Sequence, residues 1–338
     1  METDKRNVKL TSAEISSLWS TYMNDSGVVC HLQYQLNKVE DEDIKPVLQN
    51  ALSMSQSRMQ MIEEIFYKDN YPIPHGFKVD EDVDITAPRL FSDIYFLNTA
   101  NQLGKIGLNN FSVALAASVR DDVYHFFSQS LRDADLITKE SNEVLLSKGI
   151  FVRSPYLPHP ETYDFVKDGH FLAGYFGDKR PLIGSEISNF YGNFQRNALG
   201  AATLMGYSQV AKDEEVAQFF VKGKDIAKKH CEIFGSYLRK NDLPSPMAWG
   251  SEVTDVTTYV FSDRKMMFYT LSLIALSIAY YGSSLSMSPR RDIGVTYSRL
   301  IAELMKYSDE GTRVMIKNGW MEEPPRALDR GELARKKT

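Results

Sequence analysis

The feature of this sequence that most restricts its fold is an internal repeat. The Tyr-Pro-Ile-Pro segment at residues 71–74 recurs as Leu-Pro-Ser-Pro at 243–246, 172 positions later. The Leu-Phe-Ser-Asp segment at 90–93 recurs as Val-Phe-Ser-Asp at 260–263, 170 positions later. Because the matching segments keep their order and nearly their spacing, the chain consists of two copies of one unit of about 170 residues.

Apolar periodicity predicts four long helices in each copy. In the first helix, Thr11 and Glu14 have the spacing of a capping box, and apolar residues then follow in steps of three and four. The apolar stripe of the second helix recurs 172 positions later, so both copies bury the same face. The predicted cap residues of the later helices are serines. We expect Ser92 and Ser262 to cap the third helices of the two copies, and Ser118 and Ser288 to cap the fourth.

The lengths of the connections predict the topology. Helices one and two are joined by a few residues, as are three and four, so each pair is antiparallel. About twenty residues separate helices two and three, and such a length can reach roughly 60 Å, enough to cross a bundle. Two antiparallel pairs joined by a long crossover are the ferritin-like arrangement. We therefore predict an all-α fold of two tandem ferritin-like four-helix bundles, with a different helical bundle as the alternative.

The domain boundaries follow from stop signals and composition. We expect the first bundle at residues 1–149 and the second at 183–325, since Gly149 and Gly319 each end a fourth helix. Residues 326–338 are expected to form a polar tail. The linker at 150–182 is punctuated by Pro and Gly and is rich in aromatic residues, among them Tyr156, Tyr163, Phe165, Phe171, Tyr175 and Phe176. Because a flexible linker would expose them, we expect this segment to be ordered and packed against the bundles.

One helix face predicts how the two bundles meet. The third helix of the second copy carries small residues on one side: Ala275, Ser277, Ala279, Gly282 and Ser283. Small side chains let helix backbones approach closely. We therefore expect the third helices near the contact between bundles, related by a pseudo-twofold axis.

Composition and charge exclude several classes of function. The net charge of −5 is small for 338 residues, and no long block of like charge indicates a nucleic-acid partner. Two cysteines, Cys30 and Cys231, are too few for a disulfide framework, and the polar start carries no secretory signal, which favours the cytoplasm. Residues 266–288 lack charge and could span a bilayer, but the matching residues 96–118 include Lys105. We therefore expect a buried helix and no transmembrane segment.

A ferritin-like bundle raises the question of a di-metal site, which needs Glu-x-x-His pairs. In this chain, His125 is the only histidine with an acidic residue, Asp122, three positions before it. The residue that matches His125 in the second copy is Val295. Asp122 also falls in the first turn of a helix, where the helix dipole stabilises a carboxylate. Asp122 and His125 remain candidate metal ligands, but a role of Asp122 in stabilising the helix N-terminus is favoured. We therefore expect no bound metal and no cofactor.

Polar residues interrupt the buried stripes at matching positions in both copies. Asp25 on the first helix corresponds to Asn197, and Arg58 on the second corresponds to His230. Burying a polar group is costly unless it is hydrogen-bonded. We therefore predict an Asp25–Arg58 bridge and an Asn197–His230 bridge, with a ligand-binding site formed by these residues as the alternative.

Several segments are similar to an uncharacterised protein family. They lie at residues 10–15, 90–93, 206–212, 252–255 and 319–325, the last reading Gly-Trp-Met-Glu-Glu-Pro-Pro. Over essentially its whole length the chain resembles a tandem-domain, ferritin-like family of unknown function. That family is found chiefly in spore-forming bacilli, and some members are labelled spore-coat proteins through kinship with coat protein F. The resemblance implies no activity. It also implies a His at the position of Arg58, and only the matching position of the second copy, His230, has one.

The sequence contains no complete catalytic motif or phosphate-binding loop. We therefore expect a non-catalytic structural or interaction protein, in the cytoplasm or associated with the spore. Its partner would be a spore-coat protein or a second copy of the chain. The alternative is a ferritin-like protein that holds metal or a small ligand at a degenerate site between helices.

Overall fold

The structure, a computed structural model, describes residues 8–175, 179–247 and 249–335. Over those ranges the chain is all-α, as predicted, and forms no strand. The first repeat contains α1 (Ser12–Lys38), α2 (Lys45–Lys68), the one-turn α3 (Val79–Asp82), α4 (Asp93–Ala116) and α5 (Asp121–Ser147). The second contains α6 (Gly184–Val210), α7 (Glu214–Arg239), α8 (Asp263–Ser286) and α9 (Arg291–Lys317), followed by the short, exposed α10 (Arg330–Arg335). Phe176 and the last three residues of the expected tail lie outside these ranges.

The ends of several helices follow the sequence pattern. Thr11 Oγ1 accepts a hydrogen bond from the Glu14 N–H at 3.2 Å, and the Glu14 carboxylate accepts one from the Thr11 N–H at 2.8 Å, which completes the capping box. Ser92 and Ser262 cap α4 and α8 by accepting the N–H three residues further on. The predicted stop glycines after α5 and α9 adopt positive φ angles: Gly149 at 69° and Gly319 at 67°.

The predicted serine caps of α5 and α9 are wrong. Ser118 and Ser288 donate their hydroxyl groups back to carbonyl oxygens one turn earlier, at 2.8 and 2.7 Å. No side chain of the described residues caps α5; the Glu14 carboxylate instead accepts the N–H groups of Val119 and Arg120, which precede the helix, at 3.0 and 2.9 Å. Burial would raise the pKa of Glu14, but the hydrogen bonds from the backbone lower it to about 2.

Each repeat packs as a bundle of four long helices. In the first, α1 lies against α2 and α4 against α5, and α2 also contacts α4 and α5. In the second, α6 lies against α7 and α8 against α9, and α6 contacts α8. The two bundles share one buried core, which includes Tyr34 and Phe96 from the first repeat and Phe190 and Phe261 from the second.

The two long connections between helix pairs meet each other across a pseudo-twofold axis. The Asp84 N–H donates to the Val260 carbonyl oxygen at 2.9 Å. The equivalent bond, from the Thr254 N–H to the Leu90 carbonyl oxygen, measures 3.0 Å. Because each bond has its counterpart with the repeats exchanged, the contact is isologous, like that in a twofold-symmetric dimer.

The serine caps belong to this same contact. The Ser262 N–H donates to the Asp82 carbonyl oxygen at 2.9 Å, and its hydroxyl donates to the Asp82 carboxylate at 2.5 Å. Ser92 contacts Glu252 through the same two groups. Arg264 adds an ion pair to buried Asp82 at 2.9 Å. The residues that begin α4 and α8 therefore also join the two repeats.

The segment between the repeats does not pack as predicted. Tyr156, Tyr163 and Phe165 are 80%, 82% and 78% exposed, and Tyr175 is also exposed. Phe171 is covered by the Arg180 guanidinium, 4.3 Å from its ring centre. The prolines at 155, 158 and 160 lack a backbone N–H and disfavour a helix, which leaves this stretch without an amphipathic element to dock.

The small-residue face of α8 does not mediate close packing either. Ala275, Ala279 and Ser283 are exposed, and a Cβ added at Gly282 would meet no atom within 4 Å. Helices α4 and α8 come together at Asn109 and Tyr280, whose side-chain N and O atoms lie 3.3 Å apart. Among the described residues, α8 is the one helix long and apolar enough to cross a membrane by length and composition.

Candidate functional site

In the first bundle, the structure brings Asp25 and Arg58 together. Arg58 Nε and Nη2 donate to the two carboxylate oxygens of Asp25 at 2.8 and 2.7 Å. The Asp133 carboxylate, from α5, lies 3.9 Å from Arg58 Nη1. The Arg58 and Asp25 side chains are only 6% and 5% exposed. Burial disfavours the guanidinium charge, but Asp25 outweighs it and raises the pKa of Arg58, so a buried cation lies between two carboxylates.

In the second bundle, the expected direct bond between Asn197 and His230 is replaced by a bridge through Tyr281. The Asn197 side-chain N–H donates to the Tyr281 hydroxyl oxygen at 2.7 Å, and that oxygen lies 2.9 Å from His230 Nδ1. His230 Nε2 lies 3.1 Å from Glu303. Tyr281 matches Phe111 of the first repeat, whose ring packs under Arg58 instead. The extra hydroxyl thus fills the gap that the shorter His230 side chain leaves.

The candidate metal ligands Asp122 and His125 lie apart from these polar centres. Arg120 pairs with Asp122 at 2.7 Å and also with Asp69, and His125 is exposed. Across the ranges that the structure describes, no group of three or more His, Cys, Asp or Glu side chains could hold a metal ion. The expectation of a metal-free protein stays a prediction.

A third polar cluster, which the sequence did not predict, lies between the repeats. Lys265 is 1% exposed, and its Nζ lies 3.0 Å from His31 Nε2. The same His31 nitrogen is 2.6 Å from the Tyr207 hydroxyl oxygen. The Lys265 amine also lies 3.9 Å from the ring centre of Phe261. No carboxylate of the described residues is within ion-pair distance of this amine.

The pseudo-twofold axis places a neutral pair opposite this cluster. Tyr95 matches Lys265 and Thr203 matches His31, and the Tyr95 and Thr203 hydroxyl oxygens are 2.7 Å apart. Comparison of the two repeats points to the Lys265 cluster, because a buried position that holds the neutral Tyr95 in the first repeat holds the cationic Lys265 in the second. His31 has Val28 and no acidic residue three positions before it, so the spacing of metal ligands gave no signal for this cluster.

Burial controls the charge of the Lys265 cluster. Loss of hydration lowers the pKa of Lys265 to about 7. The pKa of His31 falls well below its usual value, first because of burial and then because of the Lys265 charge. His31 is therefore neutral near pH 7, and Lys265 titrates in that region.

A cavity of about 650 Å³ connects the three clusters. Its walls come from both repeats, chiefly from α1, α4, α6 and α8. Asp25, Arg58, His31 and Asn197 line it, and so do small residues of α6 and α8 that leave the space open: Gly200, Ala275, Ser277 and Ala279. The small-residue face of α8 therefore borders a cavity instead of a tightly packed helix.

Removal of the Asp25 carboxylate tests the first polar centre. Asp25→Ala should lower the free energy of unfolding by about 3–5 kcal/mol, because it leaves the buried Arg58 charge without its closest partner. The Asp25→Leu/Arg58→Met double variant removes both charges and should recover most of that loss. Urea unfolding measures the free energy of unfolding of both variants. Equal losses of stability in the single and double variants would show that the effect of Asp25→Ala does not arise from an unpaired Arg58 charge.

The pH dependence of stability tests the Lys265 cluster. The pKa of lysine is about 10.4 in an unfolded chain and about 7 at Lys265 in the folded protein. Between those values the unfolded chain binds more protons, so the Lys265 contribution stabilises the fold above pH 10 and is lost as pH falls toward 7, by up to about 1.4 kcal/mol per pH unit.

We expect Lys265→Met to be more stable than the wild type at pH 7 and to have a flatter stability profile between pH 7 and 9.5. Urea unfolding at several pH values gives both quantities. Lys68→Met, at an exposed position on α2, is the matched control and should leave the profile unchanged. Parallel profiles for Lys265→Met and the wild type would show that the amine is hydrated.

Two known proteins are similar to parts of this chain. The uncharacterized protein YvdQ of Bacillus subtilis (strain 168) is 23% identical over 145 residues, which are 42% of this chain and 85% of that protein. A solved structure, described as a candidate spore coat protein from Bacillus halodurans C-125, is 20% identical and covers 46% of this chain and 100% of that one. Its TM-score of 0.40 is too low to establish a shared fold.

A family model matches the chain twice. The family is described as a protein of unknown function (DUF3231), and the matches span residues 1–162 and 170–333. They confirm the tandem duplication that the sequence repeat predicted. The family description states no activity, so it names no functional residue.

Proposed function

We propose a function for a chain that belongs to the DUF3231 family: the cavity between its two repeats binds a small amphipathic molecule. The single observation that carries this proposal is the cavity itself, about 650 Å³ in volume and walled by both repeats. That volume falls within the range of about 300–1,000 Å³ that is usual for ligand pockets. Its walls are mostly apolar, with a few polar groups, which is the composition of such pockets.

The cavity is not a sealed void, because Ala275 and Ala279 of α8 line it and are exposed to solvent. Its apolar walls therefore contact water, and a ligand that covers them removes apolar surface from water, which favours binding. The glycine at position 200 contributes to the opening, since a Cβ there would meet no atom within 4 Å.

We also propose the ferritin-like assignment, which the two antiparallel helix pairs in each repeat support. At the centre of the first bundle, Arg58 lies between Asp25 and Asp133. In the second bundle, His230 lies beside Glu303. A guanidinium in the first bundle supplies the positive charge that metal ions supply in di-metal bundles. The proposed binding function therefore invokes no metal and no catalytic step.

Narrowing the cavity tests the proposed function. Gly200→Leu places a side chain into the cavity, while Leu is also the better helix former by about 0.8–1 kcal/mol. We expect this variant to melt at the wild-type temperature or above and to bind dodecan-1-ol and dodecanoate at least tenfold more weakly by calorimetry. The tenfold loss corresponds to about 1.4 kcal/mol.

Gly282→Leu is the matched control. Gly282 also lies within a long helix and has open space at its Cβ, but it does not line the cavity. It should bind both probes as the wild type does. If Gly200→Leu and the wild type bind equally, or if the wild type binds neither probe, the cavity is not the binding site.

A second candidate function is protein interaction, which the exposed aromatic residues of the inter-repeat segment favour. Contiguous exposed apolar groups mark interaction surfaces. Tyr156, Tyr163 and Phe165 are largely exposed, and the Tyr163 and Phe165 ring centres lie 5.9 Å apart. Self-association is the simplest form of this proposal, with a spore-coat partner as the other. The cytoplasmic or spore location stays a prediction.

Replacement of Tyr156, Tyr163 and Phe165 by Ser should abolish self-association, measured as the loss of dimer mass in size-exclusion chromatography with light scattering. Tyr67→Ser, at an exposed position on α2, is the control and should leave the dimer intact. A wild-type protein that is monomeric at every concentration up to about 100 μM, where a weak interface would still associate, would exclude self-association.

A further inference from the structure

The two ends of the cavity differ in charge although the pseudo-twofold axis relates them. Arg196, from α6, lines one end, and Lys105, from α4, does not line the cavity but lies close enough to Arg196 for their charges to interact. The matching residues at the other end are Asn24 and Ala275. Arg196, Asn24 and Ala275 all line the cavity. One end is therefore cationic and the other neutral.

The Arg196 guanidinium is desolvated without an acidic partner. Its Nη2 donates to the Asn193 side-chain oxygen at 2.7 Å, and its central carbon lies 3.9 Å from the Tyr280 ring centre. Within the described ranges, no carboxylate lies within ion-pair distance of it. Burial lowers the pKa of Arg196, and the tyrosines nearby offset this only in part. Most of its donors remain available to a ligand.

Lys105 repeats the same situation beside it. Its amine lies 5.8 Å from the Phe151 ring centre, and no carboxylate of the described residues pairs with it. Its pKa is lowered first by burial and then by the charge of Arg196. Two neighbouring, partly buried cations without an anion are unfavourable. A bound anion would relieve both the lost hydration and the mutual repulsion.

The other charged groups that line the cavity do not neutralise this end. Asp25 and Asp133 are paired with Arg58 in the first bundle. Neither carboxylate is among the groups that shift the pKa of Arg196. Uncharged hydrogen-bonding groups stand next to the two cations, since Asn109 and the Tyr280 hydroxyl lie 3.3 Å apart at the same end.

We propose that Arg196 binds the carboxylate of a long-chain carboxylic acid, with the nearby positive charge of Lys105 adding to the attraction, and that the alkyl tail lies in the cavity and points toward the Asn24 and Ala275 end. This inference rests on the proposed binding function and names the class of its ligand. A guanidinium can bind a carboxylate through two parallel hydrogen bonds. The small apolar residues along the cavity leave room for the tail.

The test compares dodecanoate with dodecan-1-ol, which has the same tail and no charge, by calorimetry below the micellar concentration. The wild type should bind dodecanoate at least tenfold more tightly than the alcohol. Arg196→Gln should weaken dodecanoate binding by about 10–100-fold, the effect of a lost charge-assisted hydrogen bond, and leave alcohol binding within twofold.

Lys105→Gln is the second variant and should weaken dodecanoate binding in the same direction by a smaller factor. Arg132→Gln, at an exposed position on α5, is the matched control and should bind both probes as the wild type does. Melting temperatures check that each variant is folded, and Arg196→Gln should melt no lower than the wild type.

Equal affinity of the wild type for acid and alcohol, or an Arg196→Gln variant that binds dodecanoate normally, would overturn the carboxylate site and leave the proposed function intact. Failure of the wild type to bind either probe would overturn both.

Discussion

The paired hydrogen bonds between the two long connections determine how the repeats face each other, and the cavity depends on them. Asp84 bonds to Val260, and Thr254 bonds to Leu90. The cap serines of α4 and α8 add bonds to Asp82 and Glu252. Since these bonds are formed at the starts of α4 and α8, they set the positions of the two helices that wall the cavity.

The two bundles solve the same problem of buried polarity with different residues. The first uses Arg58 between Asp25 and Asp133, with an aromatic ring beneath the guanidinium. The second uses His230, which reaches Asn197 through the Tyr281 hydroxyl. Exchange of only one of these residues for its counterpart would leave a buried donor or charge without a partner, so the members of each set depend on one another.

Much of the fold could be predicted from the sequence because its signals are local or repeated. The capping box at Thr11 depends on residues three positions apart. The Asp25–Arg58 pair could be predicted because two copies display the same polar interruption on the same buried faces. The prediction failed ahead of α5, where Ser118 donates its hydroxyl back to Ala114 instead of capping the helix and the distant Glu14 carboxylate binds the backbone of Val119 and Arg120.

The polar site between the repeats lay beyond such signals. His31 and Lys265 are 234 positions apart, and neither belongs to a recognisable motif. Their contact lies between the repeats, so helical periodicity within one repeat carries no information about it. The cavity was hidden for a similar reason. A face of small residues indicates either close packing or open space, and only the distance between helices separates the two.

A duplicated chain is freed from a rule that binds symmetric dimers. In a homodimer every residue near the twofold axis occurs twice, so a buried lysine there would bring a second one with it. Here Lys265 faces His31 on one side of the axis, while Tyr95 and Thr203 occupy the equivalent places on the other. Covalent linkage also makes the contact intramolecular, so dilution does not separate the halves as it separates the subunits of an obligate dimer. Each half can therefore diverge at the axis without losing the other.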